Sequence, residues 1–145
     1  MIPMEPGREL DALVAEKVMG LKLIEKKEPF ENYITYKHIT LGTCTSTTPP
    51  GKYLEINRER GYGNQPYTTY IPVPNYSTDI SAAFEVLEKV PCHAYEIYQE
   101  WAQSPRCILF EWNSIKQEMT KIESSGKSAP HAICLAALKA MNVHL

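Results

Sequence analysis

The segment that most constrains the fold is residues 128–141, SAPHAICLAALKAM, which reads as a helix with almost no charge. Ser128 is a favourable N-cap residue, and Pro130 fits the first helical turn. Lys139 is the one Lys, Arg, Asp or Glu in this run. Nearly the whole circumference of such a helix must be covered by other elements. We therefore predict a helix at residues 129–141 and expect it to be the most buried helix of the chain.

A second amphipathic helix is predicted over residues 77–90, directly after a proline-containing stretch that ends any regular element before it. Its apolar side chains recur at helical spacing and form one face, which we expect to be buried: Ile80, Ala83, Phe84, Leu87 and Val90. Ser77 is the predicted N-cap, because its hydroxyl can accept a hydrogen bond from an amide of the first turn. With this face buried, Phe84→Ala should cost about 3–5 kcal/mol of stability.

The remaining regular elements are a first helix and a set of strands. Residues 8–20 form an amphipathic helix with Asp11 away from the apolar face and Gly20 as its C-terminal cap. Runs rich in β-branched and aromatic residues predict strands at residues 33–41, 52–57, 67–73, 93–98, 106–112 and 118–123, and residues 42–51 are predicted to be a loop. Short connections favour hairpins. The predicted class is α+β, an α/β sandwich of three main helices packed on a mainly antiparallel sheet.

Length and charge limit the functions open to the chain. A chain of 145 residues can bury a core as a single domain. Its 15 basic and 17 acidic residues give a formal net charge of −2, so we expect no general attraction to duplex nucleic acid or to a membrane. The sequence has no apolar run long enough to span a bilayer, and its first residues lack a signal-peptide pattern. We therefore predict a cytoplasmic protein.

The cysteines give no indication of a metal centre or of a disulfide scaffold. They lie far apart and without C-x-x-C spacing, at Cys44, Cys92, Cys107 and Cys134. We expect four reduced thiols, no metal site and no cofactor. A zinc site formed from all four is the alternative, although the usual spacing of zinc ligands is missing.

Three blocks of the sequence resemble the phage ABA sandwich domain family, small proteins carried by bacteriophages and prophages. The blocks are ELDALVAEKVMG at residues 9–20, YSTDISAAF at 76–84 and SAPHAICLAAL at 128–138. The resemblance implies one compact domain over residues 1–145, with a sheet packed against helices, acting in the cytoplasm of an infected bacterium. Leu21 departs from the family pattern, which places a tryptophan there. Residues 21–75 are longer and richer in tyrosine than the family pattern, so we interpret them as a β/loop insertion.

Two predicted helix starts are candidate anion-binding sites. Gly126-Lys127-Ser128 lacks the first glycine of a nucleotide-binding P-loop, because Lys121 occupies that position. It still combines helix amides, a hydroxyl and a lysine, which together can bind a phosphate. Ser77 and Thr78 offer the same chemistry at the second helix. Ordinary helix capping is the alternative at both places.

A polar loop at residues 58–66 is the third candidate. Arg58 and Arg60 can bind phosphate, and Tyr62 can stack on a base. A solvated loop whose tyrosines cover a sheet is the alternative. The complete set of candidate ligand-binding residues is Arg58, Arg60, Tyr62, Tyr76, Ser77, Thr78, Lys127 and Ser128. We expect the loop to approach residues 76–78 and form a pocket there with them, within a homo-oligomer.

The sequence contains no recognisable catalytic motif, so no catalytic residue is predicted. Its four histidines are not arranged as H-E-x-x-H, and it has no G-x-S-x-G elbow. The resemblance brings no established enzymatic activity with it. The leading hypothesis is a non-enzymatic phage protein that sequesters a nucleotide-like anionic small molecule, such as a host immune signal. The alternatives are a protein-binding or architectural phage module and a nucleotide-processing enzyme.

Overall fold

The computed structural model describes residues 4–35, 43–58, 66–100 and 102–142. In these residues three helices and eight strands follow one another: α1 (Arg8–Lys17), β1 (Lys22–Lys26), β2 (Phe30–Thr35), β3 (Thr43–Thr48), β4 (Gly51–Arg58), β5 (Tyr67–Pro72), α2 (Ile80–Lys89), β6 (Ala94–Tyr98), β7 (Arg106–Asn113), β8 (Glu118–Ser125) and α3 (Ala129–Ala140). All strand pairs are antiparallel. The α+β class with three helices is therefore confirmed. The chain divides into two compact units, Met1–Gly20 with Pro74–Leu145, and Leu21–Val73.

The first unit contains all three helices and a sheet in the order β6-β7-β8. In this sheet, Leu109 at the middle of β7 lies opposite Tyr95 of β6 and Ile122 of β8. Helix α3 contacts all three strands and also packs against α1 and α2. The core of this unit is therefore built around α3.

Helix α3 confirms the strongest expectation from the sequence. Its residues are buried without interruption from Pro130 to Leu138, whereas Lys139 is exposed. Ser128 is the N-cap as predicted, and its Oγ accepts a hydrogen bond from the amide of His131 at 3.3 Å. With 12 residues, α3 is the longest of the described helices, and none of them has the length and apolar character needed to cross a membrane.

Helix α2 differs from its prediction in both its start and its buried face. It begins at Ile80, three residues later than predicted, because Asp79 and not Ser77 is the N-cap and accepts from the amide of Ser81 at 3.0 Å. Ile80 and Phe84 are each 41% exposed, so their assignment to the buried face was wrong. The buried residues of the helix are Ala82, Ala83, Val86 and Leu87. The buried stripe is thus rotated by a fraction of a turn.

Helix α1 is shorter than predicted and buries an unexpected charge. It ends at Lys17 with Val18 as its C-cap, and Gly20 follows with a φ of 67°, a left-handed conformation that suits glycine. Asp11 was expected to lie away from the buried face, but it is 1% exposed. A buried carboxylate must be paired or hydrogen-bonded, and the partners of Asp11 lie near the start of α2.

The second unit, Leu21–Val73, is made of strands. Strands β1, β4 and β5 form one sheet in the order β1-β4-β5, and β2 pairs with β3. The buried side chain of Asn32 links β2 to β5: it donates to the carbonyl of Tyr70 at 2.6 Å and accepts from the Tyr70 amide at 2.9 Å. Such a two-way amide contact fixes the position of one strand against another.

Three sequence predictions in this unit were wrong. Strand β1 was not predicted, β2 begins at Phe30 three residues early, and β3 occupies Thr43–Thr48, where a loop was predicted. Threonine is β-branched and suits a strand when a partner is present. Here β2 supplies that partner, with Phe30 opposite Thr48. The rest of the strand predicted at 33–41, from residue 36 onward, lies outside the described residues.

Three cysteines of the first unit are free thiols: Cys92, Cys107 and Cys134. Burial raises the pKa of the Cys107 thiol to about 12 and also raises the pKa of Cys134. Such thiols stay protonated and act as small apolar side chains in the core. Among the described residues no group of three or more His, Cys, Asp or Glu side chains could hold a metal ion. The structure does not describe the side chain of Cys44.

Candidate functional site

A surface depression of about 620 Å³ lies between the starts of α2 and α3 in the first unit. It is lined by Thr78, Asp79, Ile80, Gln99, Pro105, Lys127, Ser128, Ala129 and Pro130. Two of the predicted anion-binding stretches therefore meet here, since Thr78 comes from one and Lys127 and Ser128 from the other. The connection between β6 and β7 supplies Gln99 and Pro105.

The α2 side of the depression contains an acidic group. Asp79 caps the helix with its own carboxylate, which lies at the positive end of the helix dipole. Thr78, just before it, is exposed and offers a hydroxyl to a ligand. Because Asp79 offsets the positive helix end, this wall suits a hydrogen-bond donor better than a phosphate.

The α3 side has fewer free amides than a simple helix start. The amide of His131 donates to the Ser128 hydroxyl, and the amide of Ala132 donates to the Ser128 carbonyl at 3.0 Å. Pro130 has no N–H. Among the described contacts of the first turn of α3, the backbone amide of Ala129 has no hydrogen-bond acceptor and is available to a ligand. Capping hydrogen bonds therefore occupy most of the backbone amides at this helix start.

The backbone of the Gly126-Lys127-Ser128 segment packs against the ring of His131. The backbone amide of Lys127 donates to Nδ1 of His131 at 2.9 Å, so Nε2 carries the proton and donates to the carbonyl of Met4 at 2.7 Å. A Cβ at Gly126 would lie 2.8 Å from the Ala132 amide nitrogen and from His131 Nδ1. Glycine is required by this close approach. With both ring nitrogens bonded, His131 is unavailable as a base or a metal ligand.

Gly126→Ala should lower the free energy of unfolding by about 1–3 kcal/mol, because the added methyl overlaps a backbone atom that cannot move freely. Urea denaturation followed by circular dichroism measures this loss. Ser125→Ala is the matched control at an exposed neighbour and should change stability by less than about 0.5 kcal/mol. Equal stabilities for the two variants would mean that the ring of His131 does not lie against Gly126.

Lys127 contributes the positive charge of the depression. Its side chain is exposed and pairs with Glu5, which is exposed as well. The hydrogen bond from Lys127 holds the pKa of the Glu5 carboxyl below its usual value. Exposed ion pairs of this kind stabilise a protein little. A ligand phosphate can therefore take the place of Glu5 beside the ammonium group.

Tyr76 and Ser77, both predicted to contact a ligand, are buried. Oδ1 of Asp11 accepts hydrogen bonds from the Ser77 amide at 2.8 Å and from the Ser77 hydroxyl at 2.6 Å. The same hydroxyl oxygen accepts from the amide of Gly7 at 2.9 Å. Ser77 thus fixes α1 to the turn before α2 and is not accessible to a ligand. No local sequence signal identifies this role, because 66 residues separate the two partners.

The arginine and tyrosine candidates of the 58–66 loop cannot be placed beside this depression. Arg58 is the last residue of β4, and its side chain is not described. Arg60 and Tyr62 lie outside the described residues. A pocket between this loop and residues 76–78 therefore stays a prediction, and its Tyr76 and Ser77 contacts conflict with the burial of those two side chains.

Comparisons with known proteins place the chain among phage proteins. The family model described as phage ABA sandwich domain matches residues 12–138. Among solved structures, the chain is similar to a phage protein from Bacillus cereus ATCC 14579, with a TM-score of 0.54 and 18% sequence identity, over 100% of this chain and 94% of that chain. At this identity the similarity concerns the fold alone. None of the curated proteins matches the chain.

Proposed function

Because this chain belongs to the phage ABA sandwich domain family, we propose that it is a phage-encoded, non-enzymatic protein that sequesters a nucleotide-derived small molecule, such as a host immune signal. The observation that carries the proposal is the depression in which the start of α2 and the start of α3 meet. Its volume of about 620 Å³ falls within the range of about 300–1,000 Å³ that is usual for small-molecule sites.

The α3 side supplies the attraction for an anion. The positive end of the α3 dipole, the amide of Ala129 and the ammonium group of Lys127 all lie on this wall. The hydroxyl of Ser128 accepts the capping hydrogen bond, and its own proton remains available to a phosphate oxygen. We place the phosphate of the ligand here.

The opposite wall favours a ligand that also has hydrogen-bond donors. Asp79 offers a carboxylate, Gln99 an amide and Thr78 a hydroxyl, groups that can bind sugar hydroxyls or the edge of a base. Ile80 and Pro105 add apolar surface for the base itself. Inorganic phosphate would be repelled by the carboxylate of Asp79 and would not use the hydrogen-bonding groups of this wall. The combination therefore favours a nucleotide over a bare anion.

The side chains that line the depression support binding without turnover. They include one carboxylate, that of Asp79, and neither histidine nor cysteine. General acid–base catalysis needs a group that can exchange a proton beside the reacting atom, and the buried His131 holds both of its ring nitrogens in hydrogen bonds. Since the family is carried by phages, withholding a host-derived ligand is the role we propose.

Differential scanning fluorimetry with mononucleotides, linear dinucleotides and cyclic dinucleotides tests the proposal. A ligand that binds the native state stabilises it by about 2.7 kcal/mol at a hundredfold excess over Kd, so at least one compound should raise Tm in proportion to its logarithmic concentration. Mass spectrometry after heat release should return that compound unchanged. Conversion of the compound to a product would contradict the non-enzymatic role.

Substitutions of lysines inside and outside the depression test whether the ligand binds there. Lys127→Ala should weaken nucleotide binding by about ten- to a hundredfold, the equivalent of one charge-assisted hydrogen bond. Lys116→Ala is the control, because Lys116 is an exposed lysine that does not line the depression. Equal affinities of the two variants would move the site elsewhere, and no binding by any compound of the panel would refute the proposed ligand class.

A further inference from the structure

One face of the β6-β7-β8 sheet is turned away from α3, and Ile108 at its centre is only 8% exposed. Helix α3 contacts the strands on the other face, where its Cys134 is close to the buried Cys107 of β7. Residues that alternate with Cys107 point away from α3, and among them Trp112 is 53% exposed. We call this side the outer face. Its central residues are Arg106, Ile108, Phe110, Trp112, Lys121 and Glu123.

The charges of the outer face are balanced. Arg106 and Lys121 supply two positive charges, and Glu96 and Glu123 supply two negative ones. A surface that binds single-stranded nucleic acid through aromatic side chains also carries an excess of basic residues. The balance on this face favours instead a protein surface that carries the same mixture of charges.

We propose that the outer face is the interface of a homodimer, with a two-fold axis that crosses the strands between the rows of Ile108 and Phe110. In the sheet register, Ile108 lies opposite Glu123, and Phe110 lies opposite Lys121. A two-fold axis between these adjacent rows exchanges them. It brings Glu123 of each protomer to Lys121 of the other, and the half-buried ring of Phe110 over the row of Ile108, whose own side chain is already buried in the protomer.

The same axis also pairs residues at the two ends of the outer face. Arg106 and Trp112 lie on the same strand, two residues outside Ile108 and Phe110 respectively, so the axis places the guanidinium group of one protomer on the indole of the other. Arginine over tryptophan is a favourable cation–π pair. Two sheets that pack face to face are rotated by about 30°, a rotation that keeps these central pairs together. A single operation thus pairs the charges of the outer face and covers its exposed aromatic ring.

Within one protomer these charges already have partners at or near the surface. The guanidinium carbon of Arg106 lies 5.0 Å from the centre of the Tyr98 ring, and the Tyr98 hydroxyl donates to Glu96. Arg106 pairs with Glu123 at 3.1 Å, and the ammonium group of Lys121 lies 5.8 Å from the centre of the Phe110 ring. Contacts of this kind contribute little at an exposed surface and can be exchanged for contacts with a partner. A face of three short strands is smaller than the interface of an obligate dimer. The dimer is therefore expected to be reversible.

Sedimentation velocity of the full chain, from about 5 µM to 1 mM, tests the interface. The unmodified protein should pass from monomer to dimer within this range. Lys121→Glu and Glu123→Lys should each weaken dimerisation at least about tenfold, because each creates two like-charge contacts across the axis. The double variant should regain the affinity. Lys116→Glu, an exposed lysine in the β7–β8 turn, is the control and should dimerise normally.

Mixing the two single variants gives the sharpest test. In the mixed dimer, each new charge faces an opposite charge, so the mixture should dimerise although neither variant does so alone. Circular dichroism melting of each variant confirms that it is folded, and Trp112→Ser, at an exposed position, weakens the dimer by an independent route. A monomer at every concentration, single variants that dimerise normally, or a mixture that stays monomeric would each overturn the proposal.

Discussion

Asp11→Ala is expected to lower the free energy of unfolding by at least about 3 kcal/mol, because it removes two charge-assisted hydrogen bonds that contribute about 1.5–3 kcal/mol each, and a buried donor left unpaired adds a further cost. The substitution removes the acceptor of both the Ser77 amide and the Ser77 hydroxyl. It also removes the ion pair from Arg8 to Oδ2 at 3.2 Å. Chemical denaturation of the full chain measures the loss.

Two further substitutions at and beside this position distinguish the network from a general effect of removing acidic residues. Glu9→Ala, at an exposed position of the same helix, should change stability by less than about 0.5 kcal/mol. Asp11→Asn keeps an acceptor oxygen for Ser77 but loses the charge, so its stability should fall between those of the parent and Asp11→Ala. A cost for Asp11→Ala no larger than that of Glu9→Ala would show that the buried network does not hold α1.

Ile133→Ala should cost about 2–5 kcal/mol, the usual range for truncating a buried branched side chain. Ile133 is fully buried at the centre of α3, where the helix contacts the sheet and both other helices. Removing the side chain leaves a cavity among these neighbours, and the cost within this range depends on how far they relax into it. Urea denaturation, with the transition followed by circular dichroism, gives the free energy directly.

Phe84→Ala is the informative comparison for that core variant. Phe84 is a larger side chain, and from the sequence it was assigned to the core, but it is 41% exposed. Its truncation should therefore cost less than Ile133→Ala, under about 2 kcal/mol. If Phe84→Ala proves as costly as Ile133→Ala, the buried face of α2 is the one predicted from its sequence and not the one in the structure.

The contrast between α3 and α2 shows which parts of the fold the sequence determines. Helix α3 has no polar stripe, so burial on all sides is the one solution, and prediction and structure agree. Helix α2 has apolar residues on two overlapping stripes, one through Phe84 and one through Val86, with Leu87 common to both. Periodicity alone cannot choose between the stripes. The choice depends on the surface of α3, which is distant in the sequence.

The candidate site, like α2, could be predicted from the sequence only in part. The two helix starts were identified from Ser77 and Thr78 and from Gly126-Lys127-Ser128, and of these residues Thr78, Lys127 and Ser128 line one depression. The capping alternative was also correct for Ser128, which caps α3. The pairing of Ser77 with Asp11 depends on a contact between distant segments and has no local signature.

The discontinuity of the first unit has a consequence for how its segments assemble. Helix α1 belongs with Pro74–Leu145, so it can dock only by closing a loop that contains the whole of Leu21–Val73. The entropy of loop closure depends on the logarithm of loop length, and doubling the length costs only about 0.6 kcal/mol. Large changes in the length of the intervening segment therefore alter the docking of α1 only slightly. The middle of the chain can therefore vary in length while the helices and their sheet keep their packing.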